Sequence, residues 1–350
     1  MNHLNWKTQL KNCLTDLEQI TPFLKINQQE KEGALIAKDK FPFKATEYYL
    51  SLIDKKNKNC PIRKQIIPDA KEVIVQDKES LDPLREEQNS PVPNIIKVYP
   101  DRIAFCVADR CAVSCRYCLR KRLSDKKSVT KKTIQNGIQY IKQNKNIRDV
   151  LLTGGDPLIH DDDFLEYLLS SLKKIKHIEI LRIGTRMPCV LPDRITPKLC
   201  KMLKKYHPLW INTQFNHPKE ITKDSAQACQ RLIDAGIPLG NQSVLLKGIN
   251  DNVSVMKKLL HELIKIRVRP YYVYQCQTLT GAFHFTTKIE DGIELFSKLR
   301  GYTTGFSLPL YVLDTPYGKI PLTKNYFLNR KKDFVALESY NNRIWEEYNP

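Results

Sequence analysis

The sequence predicts an α/β protein with an open partial (β/α)6 barrel, a mainly helical N-terminal region and a short C-terminal extension. From residue 100 onward, short apolar runs alternate with amphipathic helical stretches, which is typical of parallel strands with helices outside. Six such units are too few to close an eight-stranded barrel, so the sheet is expected to stay open. The predicted regions are 1–95 (helical), 96–301 (partial barrel) and 302–350 (extension).

Each element follows from its local pattern. Region 1–95 is polar with helical stretches and ends in a proline-punctuated segment, 82–93, interpreted as a linker. The extension is expected to hold a last strand at 310–313 and a helical tail. The predicted barrel strands are 103–108, 149–153, 178–184, 209–215, 239–246 and 270–274, with helices between them such as 131–143, 164–174 and 253–266.

Composition favours a globular protein of the cytoplasm. Of 350 residues 41% are hydrophobic, no apolar run is long enough to span a membrane, and residues 1–10 lack a signal-peptide core. The ten cysteines indicate reduced thiols and not a disulfide framework, because the chain is long and three of them cluster. The other seven are expected to be mostly buried thiols.

The chain is strongly basic, with 57 Lys and Arg against 38 Asp and Glu and a formal charge of +19. Such a charge suits nucleic acid, anionic cofactors or an acidic electron donor such as a flavodoxin or ferredoxin. The basic residues are dispersed along helices and form no stripe interleaved with aromatics. This pattern favours a lysine-rich solvated surface over a nucleic-acid partner.

Three cysteines within eight residues are the most specific motif. Cys111, Cys115 and Cys118 have C-x3-C-x2-C spacing, and Tyr117 precedes the third. Three thiolates can hold a [4Fe-4S] cluster and leave the fourth iron open for a ligand. The run resembles the signature of radical S-adenosylmethionine (SAM) enzymes. A zinc knuckle is the alternative, but a fourth Cys or His at zinc-finger spacing is missing downstream.

A glycine turn ends the second predicted barrel strand at Gly154, Gly155 and Asp156. Two glycines let the backbone approach a neighbouring group without a Cβ in the way. In radical SAM enzymes such a turn receives the amino group of the methionine part of SAM. A Gly-Gly-Asp run is by itself common in ordinary turns, so its place after the cysteines carries the interpretation.

Further motifs occur in order along residues 95–325. They are Tyr99-Pro100-Asp101-Arg102, the cysteine run with Arg120, Leu181-Arg182-Ile183-Gly184-Thr185-Arg186, Phe215-Asn216-His217-Pro218, Asn241-Gln242-Ser243-Val244-Leu245-Leu246, Arg269-Pro270-Tyr271-Tyr272 and Leu313-Asp314-Thr315-Pro316-Tyr317-Gly318-Lys319. Together they resemble the lysine 2,3-aminomutase family. The N-terminal run Leu4–Leu10 resembles its shorter bacterial branch, which includes the enzyme that makes β-lysine for elongation factor P.

The resemblance implies a second cofactor, pyridoxal 5′-phosphate (PLP). Lys319 would form the Schiff base with PLP, which requires an accessible amine that is shielded from water or lies beside positive charge. Arg102 would bind the phosphate with its guanidinium fork, and Tyr99 would line the pyridine ring. A strand-entry salt bridge and a core aromatic are the alternatives for these two residues.

The resemblance also implies substrate and SAM contacts. Arg120 would bind the α-carboxylate of the substrate, and Asp314 would hold its distal ammonium. Gln242 would contact the adenosyl group of SAM. The structural alternatives are that Arg120 is a charge flanking the cluster, that Asp314 caps a strand end, and that Gln242 is a strand residue bonded to its neighbours.

Four departures from the longer members accompany the resemblance. Gln277 stands where they carry a second acidic residue for the distal ammonium, which weakens selection for a cationic side chain. Gln214 stands where a histidine is usual, and the turn before Lys319 is two residues shorter. No cysteine follows Cys276, so the zinc ligands of long-tailed members are missing.

The implied reaction is that of an isomerase. A 5′-deoxyadenosyl radical takes hydrogen from C3 of PLP-bound L-lysine, and the 2-amino group moves to C3 to give β-lysine. The implied partners are a free amino acid and an acidic electron donor, with no membrane and with homo-oligomers allowed. The alternatives are a 2,3-aminomutase for arginine or glutamate, a radical SAM enzyme that modifies RNA, and a non-enzymatic zinc module that binds nucleic acid.

Overall fold

The N-terminal region contains five short helices among its described residues, joined by irregular segments. The computed structural model describes residues 5–37, 41–74, 79–123 and 128–350, so Leu4 of the N-terminal motif lies outside the described residues. Asn5 caps the first helix by accepting a hydrogen bond from the Lys7 amide. The helices are α1 (Trp6–Lys11), α2 (Leu17–Ile20), α3 (Gln28–Ala37), α4 (Glu47–Ser51) and α5 (Pro61–Ile66).

A nine-stranded sheet forms the centre of the molecule, with its strands in sequence order. Strands β2 to β8 run parallel, while β1 and β9 add antiparallel edges. All six predicted barrel strands are present, the last predicted strand is the seventh parallel one, and the open partial barrel is confirmed. The strands are β1 (Ile95–Ile96), β2 (Arg102–Ala108), β3 (Asp149–Gly154), β4 (Ile180–Gly184), β5 (Leu209–Thr213), β6 (Leu239–Leu245), β7 (Arg269–Gln275), β8 (Leu310–Thr315) and β9 (Gly318–Pro321).

Helices connect the parallel strands and bury one apolar face each. Helix α7 buries Leu165, Leu168, Leu169 and Leu172, which recur at three- and four-residue spacing. The helices are α6 (Lys131–Gln143), α7 (Asp162–Lys173), α8 (Met187–Val190), α9 (Pro197–Leu203), α10 (Lys223–Asp234), α11 (Val253–Lys265) and α12 (Ile289–Leu299).

One hydrophobic core joins the N-terminal helices to the barrel. Ile20 and Ile66 are fully buried in the same cluster as Phe105 and Leu152 of the sheet. The helical region therefore packs directly on the barrel. The region boundaries at residues 95 and 301 stay predictions.

The predicted helical tail is wrong. The C-terminal residues form a separate three-stranded antiparallel sheet of β10 (Phe327–Lys331), β11 (Phe334–Glu338) and β12 (Ile344–Tyr348). Lys332 and Asn342 have φ values of 49° and 60°, which suit tight turns between strands. Six of the fifteen residues in these strands are aromatic or β-branched, which favours strands over a helix.

All ten cysteines are free thiols, and the seven outside the motif are all buried, as predicted. Among the described residues, no helix has the length and apolar character needed to cross a membrane.

Candidate active site

A cavity of about 750 Å³ opens inside the partial barrel. It extends from the carboxyl ends of the parallel strands to the first residues of β2 and β3. All thirteen residues that the sequence assigned to the site line it, although they come from five separate segments of the chain. They are Tyr99, Arg102, Cys111, Cys115, Tyr117, Cys118, Arg120, Gly154, Gly155, Asp156, Gln242, Asp314 and Lys319.

The three motif cysteines lie in the loop after β2, at the carboxyl end of the sheet. Burial raises the pKa of Cys118 to about 11 and that of Cys111 well above its usual value, so both groups stay protonated without a metal and must release their protons to bind one. Among the described residues, no three His, Cys, Asp or Glu side chains converge on a single ion position. Three cysteines of a four-iron cluster bind three different irons and need no such convergence.

Buried ion pairs fix this loop. The guanidinium of Arg116 donates to both carboxylate oxygens of Glu72, at 2.8 and 2.6 Å, and both side chains are buried. Arg116 therefore anchors the loop to the N-terminal region, because such a pair is strongly destabilised when one partner is lost.

A second buried cation contacts the cysteines directly. Nη1 of Arg186 lies 2.8 Å from Sγ of Cys115, and Nη2 donates to Glu220 and Tyr49 at 2.7 and 2.8 Å. Arg186 therefore joins the cysteine loop to helix α4, which carries Tyr49, and to Glu220. Tyr117 lies in the same network, where its hydroxyl accepts a hydrogen bond of 2.6 Å from the amide of Asn216.

The glycine turn brings β3 against the cysteine loop. Gly154 has a φ of 113°, and a Cβ there would lie 2.3 Å from the carbonyl oxygen of Ala108. A Cβ on Gly155 would lie 2.3 Å from the carbonyl oxygen of Arg110. The glycines thus permit a close approach of two protein segments.

Asp156 is a buried cap. Its carboxylate accepts hydrogen bonds from the Thr185 hydroxyl, the Arg186 amide and the Leu158 amide at 2.6, 2.7 and 3.0 Å. Burial raises the pKa of this carboxyl group. Asp156 therefore ties the β3 turn to the loop after β4, which also carries Arg186.

Lys319 lies on β9 beside a group of aromatic rings. Its Nζ is 3.4 Å from Oδ1 of Asp314 and 5.9 and 5.7 Å from the ring centres of Tyr99 and Tyr274. Its main-chain amide donates to the Tyr99 hydroxyl at 2.8 Å. Gly318 has a φ of 117°, and a Cβ there would lie 3.1 Å from the Tyr99 ring. The close packing of this turn on Tyr99 fixes the position of the Lys319 main chain.

Three arginines line the end of the cavity near the start of β2, which is a suitable place for a phosphate. Arg102 stacks 3.7 Å from the Tyr99 ring centre, and its Nη1 donates to Asp101 at 2.9 Å. Arg148 and Arg182 complete the group, and the sequence reasoning did not assign either to the site. Any bound phosphate must compete with Asp101 for Arg102.

Arg120 is held by Glu86. Its Nε and Nη2 bind the Glu86 carboxylate at 3.0 and 2.7 Å, and its Nη1 donates to Thr153 Oγ1 at 3.3 Å. The Glu86 side chain is 5% exposed and that of Arg120 is 22% exposed, so one edge of the guanidinium is fixed while the group still reaches the cavity. Glu86 lies in the segment interpreted as a linker, where no local pattern marks it as a site residue.

Asp314 is supported by the glutamine that departs from the family pattern. Nε2 of Gln277 donates to the main-chain carbonyl of Asp314 at 2.7 Å, and both residues line the cavity. A carboxylate at position 277 could not donate this hydrogen bond. Gln242 lines the cavity, and its side chain has no hydrogen-bond partner among the described residues. Gln214 instead donates to the Tyr117 hydroxyl at 3.3 Å.

Comparison with known proteins identifies the family. A model of the radical SAM superfamily matches residues 105–260, and a lysine-2,3-aminomutase model matches residues 296–350. An L-lysine 2,3-aminomutase of Methanococcus maripaludis is 49% identical, over 100% of this chain and 82% of that protein. The L-lysine 2,3-aminomutase of Clostridium subterminale is 46% identical, over 96% of this chain and 82% of that protein. A glutamate 2,3-aminomutase of Clostridioides difficile is 44% identical, over 97% of this chain and 81% of that one.

These identities confirm the family expected from the motifs, and they leave no role for the zinc-module alternative. The finer resemblance to the shorter bacterial branch stays a prediction. The chain belongs to the lysine 2,3-aminomutase family of radical SAM enzymes.

Proposed function

We propose that this isomerase converts L-lysine into β-lysine by moving the 2-amino group to C3. The observation that carries the proposal is the pairing of Arg120 and Asp314 in one cavity with the cysteine motif and Lys319. A cation and an anion in one cavity suit a substrate with a carboxylate at one end and an ammonium at the other.

The cofactors of this family are a [4Fe-4S] cluster, SAM and PLP. When bound, they supply a radical that abstracts hydrogen and a carbonyl that binds the amino group. We assign the cluster to Cys111, Cys115 and Cys118, and the donor set fits because it is all thiol and leaves one iron open. SAM would contact Gln242 and the main chain of Gly154 and Gly155. Tyr117 and Asp156 would support this site from behind through the hydrogen bonds described above.

Lys319 would hold PLP covalently. The fit rests on the rings of Tyr99 and Tyr274 around its Nζ and on the arginines near the start of β2. Arg102 is the proposed phosphate ligand, since its guanidinium already binds one anion, Asp101.

The substrate contacts follow from charge. Arg120 would bind the α-carboxylate through Nη1 and the N–H of Nη2 that does not face Glu86, while Glu86 keeps the guanidinium oriented. Asp314 pairs with the ammonium group of Lys319, so its carboxylate is accessible to a cation, and the substrate ammonium would take the place of that of Lys319. Gln277 would add a neutral amide oxygen at this end, because its NH2 group is bound to the Asp314 carbonyl. The two ends together would hold C3 in place and exclude water.

Glutamate is the second candidate substrate, because one relative is a glutamate 2,3-aminomutase. Asp314 opposes it, since two carboxylates at this end would repel each other. Arginine keeps the positive charge but is longer than lysine and needs more room beside Asp314.

The proposed partners are the free amino acid and an acidic electron donor. The exposed side chains of β10 and β12, among them Phe327, Ile344 and Trp345, support a homo-oligomer. The compartment we propose is the cytoplasm, since the ten free thiols suit a reducing environment.

A competition assay tests the substrate. The anaerobic holoenzyme receives equal concentrations of L-lysine, L-arginine and L-glutamate with SAM, and β-amino acid products are separated by mass spectrometry. We expect β-lysine to dominate. A dominant β-glutamate or β-arginine would overturn the substrate assignment while leaving the aminomutase reaction in place.

A further inference from the structure

A second cavity, of about 260 Å³, lies on the outer side of the cysteine loop between α1 and the residue before Cys111. We call it the basic cleft. Its lining holds four cations and one carboxylate, in addition to apolar side chains. The charged residues are Lys7, Lys11, Lys44, Arg110 and Asp161.

The basic cleft directly backs the cysteine loop. Arg110 precedes Cys111 in the chain, and the main-chain carbonyl of Lys44 accepts a hydrogen bond of 2.8 Å from the amide of Ser114 inside the motif. The motif cysteines line the large cavity and none of them lines the basic cleft, so the two cavities contact different residues of the same loop region.

The cations of the cleft are open to solvent. Lys7, Lys11 and Arg110 are exposed, and Lys44 is half-buried. Lys7 pairs with Asp161 at 2.7 Å, but both side chains are about 60% exposed, and such surface pairs are weak. Arg110 lies 4.0 Å from Asp109. Four positive charges against Asp161 and the neighbouring Asp109 leave a local excess of two.

We propose that the basic cleft docks a small acidic electron-transfer protein that reduces the cluster. This inference rests on the proposed function, because only a cluster in the loop needs an electron from outside. One electron leaves the reduced donor and enters the oxidised cluster, and no bond or proton changes place. A local positive field of this kind raises the encounter rate with an acidic partner by about 10- to 1,000-fold at low salt. A donor bound at this cleft would contact Arg110, the chain neighbour of Cys111, without entering the large cavity.

Two charge variants separate docking from bulk charge. The cleft variant K7Q/K11Q/R110Q removes three positive charges and leaves Lys44, whose main chain supports the loop. The control K142Q/K174Q/K176Q removes three exposed lysines at the ends of α6 and α7, near the opposite end of the sheet. Each reconstituted holoenzyme is reduced either by reduced flavodoxin, as the probe, or by dithionite. Stopped-flow bleaching of the cluster and 5′-deoxyadenosine formation are the readouts.

With flavodoxin at low salt, we expect cluster reduction in the cleft variant to slow by about tenfold or more, with a flatter dependence on ionic strength. With dithionite, the cluster of the cleft variant should be reduced at the wild-type rate. The cluster of the control variant should be reduced at the wild-type rate with both reductants. Equal slowing of the control, or an unchanged cleft variant, would overturn the proposal, as would equal slowing with dithionite. Because the readouts do not need β-lysine, a wrong substrate assignment would appear separately, as SAM cleavage without that product.

Discussion

Replacing Glu86 with glutamine tests whether the orientation of Arg120 controls substrate binding. The carboxylate of Glu86 binds Nε and Nη2 of Arg120, so Glu86→Gln removes the charge and turns one acceptor into an NH2 group facing the guanidinium. Removing one partner of a buried pair costs about 3–5 kcal/mol. Here the expected cost is lower, because Arg120 is 22% exposed and the nearby Arg122 still pairs with Asp82 at 2.9 Å.

The expected effect is on KM. A hydrogen bond to a charged group contributes about 1.5–3 kcal/mol, so a misoriented Arg120 should raise the KM for L-lysine by about 10- to 100-fold. SAM binding and the cluster spectrum should stay unchanged. Glu87→Gln is the matched control, because the Glu87 side chain is 78% exposed and lies 4.0 Å from Arg122. A rise in KM without a comparable fall in kcat separates positioning from a general loss of structure.

The reasoning would be refuted by an unchanged KM in a folded Glu86→Gln enzyme, or by the same rise in Glu87→Gln. A lower melting temperature with wild-type KM would assign Glu86 to stability alone.

Three further predictions concern the glycine turn, a buried histidine and the distal carboxylate. Gly154→Ala should lower the free energy of unfolding by at least about 1–3 kcal/mol in urea titrations, because of its φ of 113° and the contact with Ala108, while Gly305→Ala, with open space around it, should be near neutral. Burial lowers the pKa of His217 to about 4, so between pH 6.5 and 4 the unfolded chain binds more protons than the folded one. The free energy of unfolding should therefore decrease as the pH is lowered from 6.5 to 4, and it should decrease less steeply in His217→Asn. Asp314→Asn should raise the KM for L-lysine by about tenfold or more, measured by initial rates with SAM saturating.

Each of these predictions has an opposing result. An equal loss of unfolding free energy in Gly154→Ala and Gly305→Ala would contradict the role of the glycine turn. An equal pH dependence of stability in wild type and His217→Asn would contradict the role of His217. Wild-type KM in Asp314→Asn would place the substrate ammonium elsewhere.

The barrel was predictable because its strands and helices carry local hydrophobic patterns. The C-terminal sheet was missed because β12 mixes Ile344 and Trp345 with the adjacent acids Glu346 and Glu347, and this pattern resembles a polar helix. Tertiary contacts and turn geometry, and not the local sequence pattern, determine that this segment forms strands.

The site residues that sequence reasoning found are those with short, ordered motifs. Their partners lie far away in the chain: Glu86 is 34 residues from Arg120, and Glu72 is 44 residues from Arg116. No local spacing marks such ion pairs, because the fold alone brings them together. Asp156 shows the converse, since the motif found the residue and its hydrogen bonds reveal a capping function.

The most direct test of the central claim compares wild type with Lys319→Ala. Both proteins are reconstituted anaerobically with iron, sulfide and PLP, reduced, and supplied with SAM and L-lysine, and products are compared with authentic β-lysine by mass spectrometry. We expect β-lysine from wild type, none from Lys319→Ala, and loss of the absorbance of protein-bound PLP in the variant. SAM cleavage by wild type without β-lysine, or β-lysine formed equally by Lys319→Ala, would contradict it.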